Sequence, residues 1–367
     1  MNSTLRAEID AHVGSRVPGI AVVVVAADEI MLSDAWGLAD VATRAEMRVD
    51  TSCNWFSMTK LVTATVAMQL AEQGRLDLDA PVDEPFSVTR TEPRRRSVTV
   101  RHLLSHSSGL ANPLPLRWVH LADEPGPTRS QFVRDLIEKH PRLRFDPGTK
   151  AAYSNIGYLV VGEAIAAVTG HTYEACVHEN ILKPLRMHRT GFQVAPGEVW
   201  ATPYQRRRTS LNILLPMLIP RKLIGANESS FRALRHFYLD GAAYGGLVGP
   251  AADAARFLQA HVRGGELDGA RILSPASAKA MRHIRAHGKG LEVGLGWLRR
   301  GRTQNADYVE HLGGGAGFWN CMRLYPQRGA GIVVMGNATS YDHDTISRAA
   351  LRHLDLSDPG GQPTPKR

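Results

Sequence analysis

The run Gly19-Ile20-Ala21-Val22-Val23-Val24-Val25-Ala26 is the strongest constraint on how this chain folds. Its residues are small or β-branched and apolar without a break, so it fits a strand buried on both faces. The apolar stretch is too short for a membrane span, which needs about 20 residues. Such a strand needs a neighbour on each edge and cover on each face. Asp28-Glu29 turns the chain into a second extended segment, Ile30–Gly37, so a hairpin lies close to the N-terminus. The next extended patterns come only at the far end, over Glu292–Arg299, Phe318–Tyr325 and Gly331–Asn337. Gln327-Arg328-Gly329 turns between the last two. Early strands, a helical middle and late strands imply an α+β fold. Its antiparallel sheet is built from both chain ends, flanked by helices, with a mostly helical subdomain inserted.

Helix signals fill the middle. One helix is expected from Ser57 to about Gln73, stopped by Gly74. Others are expected after Thr99 as far as the His106–Gly109 loop, over Ser130–His140 before Pro141, and over Ile156–Val168 before Gly170. Thr172 caps the next. Gly249-Pro250 and Ser274-Pro275 each place proline at the first helical position. A last helix runs from about Asp344 to Leu354, and the N-terminus reads as a polar amphipathic helix. One domain is expected over 1–355, with the sheet layer at about 1–50 and 290–355 and the helical region at about 55–285. Residues 356–367 form a Pro/Gly-rich tail read as disordered.

With 43% hydrophobic and 22% charged residues among 367, the composition is that of a globular protein. The formal charge of +9 gathers in short clusters: Arg94-Arg95-Arg96, Arg206-Arg207-Arg208, and Arg299, Arg300 and Arg302. No basic stripe interleaved with aromatics and no zinc-finger spacing accompanies them, so no nucleic-acid partner is expected. The three cysteines, Cys53, Cys176 and Cys321, are widely spaced and odd in number, which gives neither a disulfide framework nor a metal pattern. No secretory signal is legible, and a cytoplasmic location is expected. Residues 205–240 mix basic clusters with the apolar run Leu211–Ile219, interrupted by Pro216. They read as a loop packed on the body, with a lid or a peripheral membrane contact as the alternative.

Ser57-Met58-Thr59-Lys60 carries the chemistry. On a helix, positions i and i+3 share a face about 5–6 Å apart, so the lysine amine reaches the serine hydroxyl. A serine needs a neighbouring base to act as a nucleophile, and a lysine in a dry site can supply one. The start of a helix also leaves backbone N–H groups free to hold developing negative charge. An ordinary N-cap serine and an ordinary surface lysine would produce the same tetrad. Two further elements join it. Tyr153-Ser154-Asn155 offers a phenol for proton relay and an amide to orient lysine and substrate, although Asn155 at this point could equally cap the following helix. His311-Leu312-Gly313-Gly314 offers glycines on a strand edge, where a substrate approaches closely and an N–H is left for an oxyanion. A glycine-rich hairpin loop would read the same way.

In order and spacing these elements resemble the serine β-lactamase and penicillin-binding-protein superfamily, and in type its esterases related to class C β-lactamases (family VIII carboxylesterases). Connecting segments resemble it too: Leu103-Leu104-Ser105-His106-Ser107-Ser108-Gly109-Leu110, Phe145-Asp146-Pro147-Gly148, Ile181-Leu182-Lys183-Pro184-Leu185 and Gly245-Gly246-Leu247. The resemblance spans roughly residues 15 to 340. It implies an acyl-enzyme mechanism in which Ser57 attacks a carbonyl, and Lys60 and Tyr153 share the acid and base work. Asn155 positions the substrate, and the N–H groups of Ser57 and Gly314 hold the oxyanion. No metal or organic cofactor is implied, and His106 is expected to brace a loop.

The sequence departs from the family at His311, where penicillin-recognising members carry lysine, and at Arg186, where they carry glycine. A neutral imidazole binds a substrate carboxylate less well than an ammonium. Hydrolysis of carboxylic esters is therefore expected, with a small-molecule ester or amide as substrate. A β-lactamase or D-amino-acid peptidase, and a catalytically silent binding protein of the same fold, are the alternatives.

Overall fold

The computed structural model describes residues 3–82, 98–113, 117–209, 215–300 and 307–354. Gly19–Ala26 is a strand with the bounds expected. It pairs antiparallel with Ala330–Gly336 on one edge and with Ile30–Gly37 on the other. The full sheet has eight strands in the order Ala286–Gly288, Leu291–Val293, Leu298–Arg300, Val309–Gly315, Phe318–Tyr325, Ala330–Gly336, Gly19–Ala26, Ile30–Gly37. Both chain ends build it, and the helical region lies between them in sequence.

The continuous apolar run is explained by its two neighbours above and below. Ala21, Val23 and Val25 face a core shared with Phe257 and Leu258 of the Ala251–Val262 helix. Ile20, Val22 and Val24 face a second core with Ile9 of the Ser3–Asp10 helix and Ile346 and Ala350 of the His343–His353 helix. Burying one such side chain contributes about 1.5–3 kcal/mol, so both faces demand apolar residues and period-two alternation disappears.

Most helices fall where expected: Val100–Leu104 with a Thr99 capping box, Arg129–Lys139, Asn155–Thr169 ended by Gly170 at φ 72°, Tyr173–Val177 capped by Thr172, and Pro275–Arg282 capped by Ser274. Two expectations are corrected. Pro250 is the N-cap rather than the first helical residue, because Val248–Pro250 is held extended by pairing with Ser52–Asn54. The segment 292–299 is two strands rather than one. Gly294 and Gly296 break it: Gly296 has φ +90°, and a Cβ on Gly294 would meet the Met281 carbonyl oxygen at 2.3 Å.

Within 205–240, the strands Tyr204–Arg206, Ile224–Glu228 and Phe231–Leu234 form a small antiparallel sheet. Leu215 and Ile219 are buried while Met217 is exposed. Phe237–Leu239 then pairs with Val119–Leu121. Most of this region is therefore packed on the body. Arg94-Arg95-Arg96, Arg302, the first part of the 211–219 run and the C-terminal tail lie outside the described residues. All three cysteines are free and buried. Among the described residues no helix is long and apolar enough to cross a membrane.

Candidate active site

The strand Ser52–Asn54 delivers the chain into a single 3₁₀ turn, Phe56–Met58, and the α-helix Thr59–Glu72 follows directly. Ser57 thus sits on the tight turn rather than at the first position of the helix. Neither the turn nor the helix has a side-chain N-cap, so the Ser57 hydroxyl is not consumed by capping. Phe56 is left-handed at φ 49°, a conformation that costs a non-glycine residue about 1–3 kcal/mol and persists only where packing enforces it. The Phe56 ring is held by Phe237 and Phe318, with ring centres 6.2 and 6.3 Å away. Ser57 is the one residue of the turn that is not fully buried.

Lys60, one turn further on, is fully buried. Its Nζ is hydrogen-bonded to Ser57 Oγ at 3.0 Å, Asn155 Oδ1 at 2.8 Å and the Tyr244 carbonyl at 2.6 Å. It also lies 5.0 Å from the centre of the Tyr153 ring. Burial, with the Arg300 guanidinium adding repulsion, holds its pKa well below the usual lysine value.

The Tyr153-Ser154-Asn155 segment enters the site as a helix start, and Ser154 rather than Asn155 is the cap. Ser154 Oγ accepts from the Gly157 N–H at 3.1 Å and donates to the Ala111 carbonyl at 2.9 Å. Asn155 is left free to turn its amide to Lys60. His106 clamps the peptides on either side of Tyr153: its carbonyl accepts from Ala152 N–H at 2.8 Å and its Nδ1 accepts from Ser154 N–H at 3.2 Å. Its ring lies 4.2 Å from the Tyr153 ring, so the loop-bracing role expected of it has a geometry. Burial pushes the Tyr153 phenol up to about 12, eased by the Ser57 hydroxyl and Arg300.

The strand Val309–Gly315 forms the opposite wall. It is a regular strand rather than a hairpin loop, paired residue for residue with Phe318–Tyr325. Gly313 packs directly on the turn, since a Cβ there would lie 2.0 Å from the Trp55 carbonyl oxygen. Gly314 lines the cleft beside Ser57. His311 does not face the cleft. It is fully buried behind Tyr153, with ring centres 6.0 Å apart, and its Nδ1 lies 3.0 Å from the Leu312 carbonyl. Burial, then Lys60 and Arg300, holds its pKa well below the usual histidine value, so the imidazole is neutral at pH 7.

The cleft above Ser57 encloses about 330 Å³. Ser57, Tyr153, Asn155 and Gly314 line it as the sequence implied. Phe56, Val119, Phe237, Tyr244, Arg300 and Trp319 line it as well. All lie outside the three motifs, Phe56 directly before Ser57 and the rest on other segments or further along, and only Arg300 stood out in the sequence, as part of a basic cluster. Among the described residues, one group elsewhere has metal-ligating atoms close together, Glu310, Cys321 and His343. Arg323 already occupies Glu310 Oε2 with bonds of 3.0 and 2.7 Å, and the Trp319 indole donates to His343 Nδ1 at 2.9 Å. With Nδ1 accepting, the neutral imidazole keeps its proton on Nε2. Arg323 is therefore the cation of that cluster, and it ties the sheet to the last helix through Asp344.

The chain is similar in sequence and shape to several known proteins. The chain is 25% identical to the D-alanyl-D-alanine-carboxypeptidase/endopeptidase AmpH of Escherichia coli over 88% of its length and 80% of that protein's. It is 29% identical to Esterase EstB of Burkholderia gladioli over 77% of its length and 75% of that protein's. The solved structure of D-amino acid amidase from Ochrobactrum anthropi SV3 superposes with a TM-score of 0.80 at 23% identity, covering 97% of this chain and 99% of the other. The beta-lactamase family profile matches residues 5–357, and with Ser57, Lys60 and Tyr153 gathered at one cleft the chain belongs to that family of serine hydrolases.

Proposed function

We propose that the protein hydrolyses carboxylic esters through an acyl-Ser57 intermediate, with Lys60 as the base that takes the serine proton. The set of partners around Lys60 Nζ carries this reading. Once unprotonated, which its lowered pKa favours, the amine has two N–H donors and one lone pair. Asn155 Oδ1 and the Tyr244 carbonyl accept hydrogen bonds, so they take the two hydrogens. The lone pair of the unprotonated amine is then left for the third neighbour, Ser57, whose Oγ lies 3.0 Å away and is placed to give up its proton to it. The Ser57 and Gly314 N–H groups receive the oxyanion, Tyr153 gives its proton to the leaving alcohol and is reprotonated by Lys60, and water then cleaves the acyl-Ser57 ester to release the acid and restore the serine hydroxyl.

Three features favour esters. A phenol whose pKa is about 12 is a weak proton donor at neutral pH, and an alkoxide or phenolate leaving group needs less protonation than an amine. His311 adds no positive charge to the wall where a lysine would serve penicillin recognition. Esterase EstB is a relative over three quarters of its length. The test compares kcat/KM for p-nitrophenyl butyrate, nitrocefin and D-phenylalanine amide, with the Ser57 adduct of a fluorophosphonate located by mass spectrometry. The ester is expected to have the highest kcat/KM. Faster turnover of nitrocefin or the amide would move the assignment to that substrate class.

A further inference from the structure

The cleft has an exposed rim and a buried floor. Gly314 and Arg300 are exposed at the rim, whereas Leu223, Phe237 and Tyr244 line the cleft at only 0, 1 and 3% exposure. Side chains that line a cleft yet meet almost no solvent form its floor. Val119 and Leu239 complete it as partners across the ladder that joins Val119–Leu121 to Phe237–Leu239. Leu223, Phe237 and Leu239 all come from the region 205–240, so that region closes the cleft at this end. Backbone bonds pin the floor. The Leu223 N–H donates to the Pro220 carbonyl at 3.0 Å, and its carbonyl accepts from the Arg235 N–H at 2.8 Å. The Phe237 carbonyl accepts from Asn54 Nδ2 at 3.0 Å. A floor pinned in this way does not recede before a longer ligand, so the size of its side chains fixes its depth. At about 330 Å³ the whole cleft lies near the small end of the range of ligand pockets, about 300–1,000 Å³.

We infer that Leu223 is a specificity-determining residue that sets the longest acyl chain the protein accepts. Tyr153 gives its proton to the leaving alcohol, so the alcohol lies on the Tyr153 side, beside the exposed Arg300, whose Cζ is 5.3 Å from that ring. The acyl group stays on Ser57 after the alcohol departs and takes the buried end. Each methylene that enters the apolar floor raises kcat/KM about fourfold. Once the chain meets Leu223, the next methylene either stays in water or displaces a packed side chain, and the rate falls. This inference rests on the ester-hydrolase reading for its turnover measurement, and a binding measurement tests it apart from that reading.

The turnover test measures two series. p-Nitrophenyl esters from acetate to decanoate give an acyl profile, and butyrates of methanol to hexanol give an alcohol profile. In the unsubstituted protein kcat/KM should pass through a maximum in the acyl series and then fall about tenfold or more. Leu223→Ala, which replaces an isobutyl group by a methyl, should move that maximum to chains about two or three carbons longer. Leu223→Phe should move it to shorter chains, and no Leu223 variant should move the alcohol profile. Leu223→Val, a smaller truncation with a shift of about one carbon, carries the test if Leu223→Ala does not fold. Ile219→Ala is the control for lost packing. Ile219 is 2% exposed in the same region and is not among the residues that line the cleft, so its variant should keep the maximum of the unsubstituted protein. The binding test uses n-alkylboronic acids from propyl to decyl, whose boron takes the Ser57 oxygen and whose chain stands for the acyl chain. Their affinity is read as protection of Ser57 from a fluorophosphonate, and its maximum should shift in Leu223→Ala as the acyl profile does. An unchanged maximum in the folded Leu223 variants, an equal shift in Ile219→Ala, or a shift confined to the alcohol series would overturn the inference. If no ester is turned over, the ester reading fails, and the boronate series alone decides the role of Leu223.

Discussion

Lys60 Nζ and Asn155 Oδ1 lie 2.8 Å apart, joining the helix that follows Ser57 to a helix 95 residues away. The contact exists because Ser154 takes over the capping of the second helix. It fixes the lysine amine between the nucleophile and two carbonyl-type acceptors, and the first predictions concern what that fixation does.

Ser57→Ala should abolish acyl-enzyme formation and nearly all turnover while leaving the fold intact. Loss of a covalent nucleophile costs several orders of magnitude in rate. The Ser57 hydroxyl caps no helix, so the loss of about 1 kcal/mol that accompanies a missing N-cap is not expected. Thermal melting and intact-mass measurement after fluorophosphonate treatment check both halves. A large drop in Tm with normal turnover by the remaining folded protein would show that the serine is structural.

Lys60→Ala and Tyr153→Phe should each remove most of the activity, and the double variant should be little worse than either. Groups that pass one proton between them fail as a unit. Single-turnover kinetics on p-nitrophenyl butyrate give the three rates. Modest losses that multiply in the double variant would mean the two side chains act independently.

Lys60 also makes stability depend on pH in a defined direction. Its pKa in the folded protein lies below the ordinary 10.5, so between those two values the unfolded chain carries a proton that the folded chain lacks. Stability therefore rises with pH through that window, by at most about 1.4 kcal/mol per pH unit. Lys60→Met lacks this contribution. The difference in unfolding free energy, unsubstituted minus Lys60→Met, should grow between pH 7 and pH 10. His106 and His311 titrate below this range and the Tyr153 phenol, at about 12, above it, so they leave the difference undisturbed. A flat or falling difference would show that Lys60 stays protonated in the folded state.

The parts of this structure governed by local rules were legible in the sequence. The Gly19–Ala26 strand follows from an unbroken apolar run, and Thr99, Thr172 and Ser274 cap the helices they precede. Ser57, Lys60, Tyr153 and Asn155 were legible because two short motifs carry them. What stayed hidden depends on burial and on partners distant in sequence. His311 was read as facing the substrate, but the strand's alternation turns it inward, and nothing in His311-Leu312-Gly313-Gly314 states which face is wet. Arg300 stood out only as charge; its place over Tyr153 comes from the pairing of Leu298 with Glu310, which sets the two strands side by side. The left-handed Phe56 had no signal of its own.

That conformation of Phe56 is tied to Gly315, and the pair yields the last prediction. A Cβ on Gly315 would lie 2.0 Å from Phe56 Cε1 and 2.4 Å from Cζ, closer than any real side chain approaches another. The Phe56 ring is wedged between Phe237 and Phe318, so it yields only by moving the turn that carries Ser57. Gly315→Ala adds a single methyl group at the cleft wall, directed at the Phe56 ring. It should lower kcat at least tenfold by displacing the turn, and cost about 1–3 kcal/mol of stability, the usual penalty of overpacking. Gly191→Ala is the control: its Cβ would meet nothing closer than the Gln193 carbonyl oxygen at 3.5 Å, and it should leave both quantities nearly unchanged. Phe56→Leu in the Gly315→Ala background should recover part of the stability by making room for the methyl group. Full activity in Gly315→Ala would mean that the position of Ser57 does not depend on the Phe56 ring.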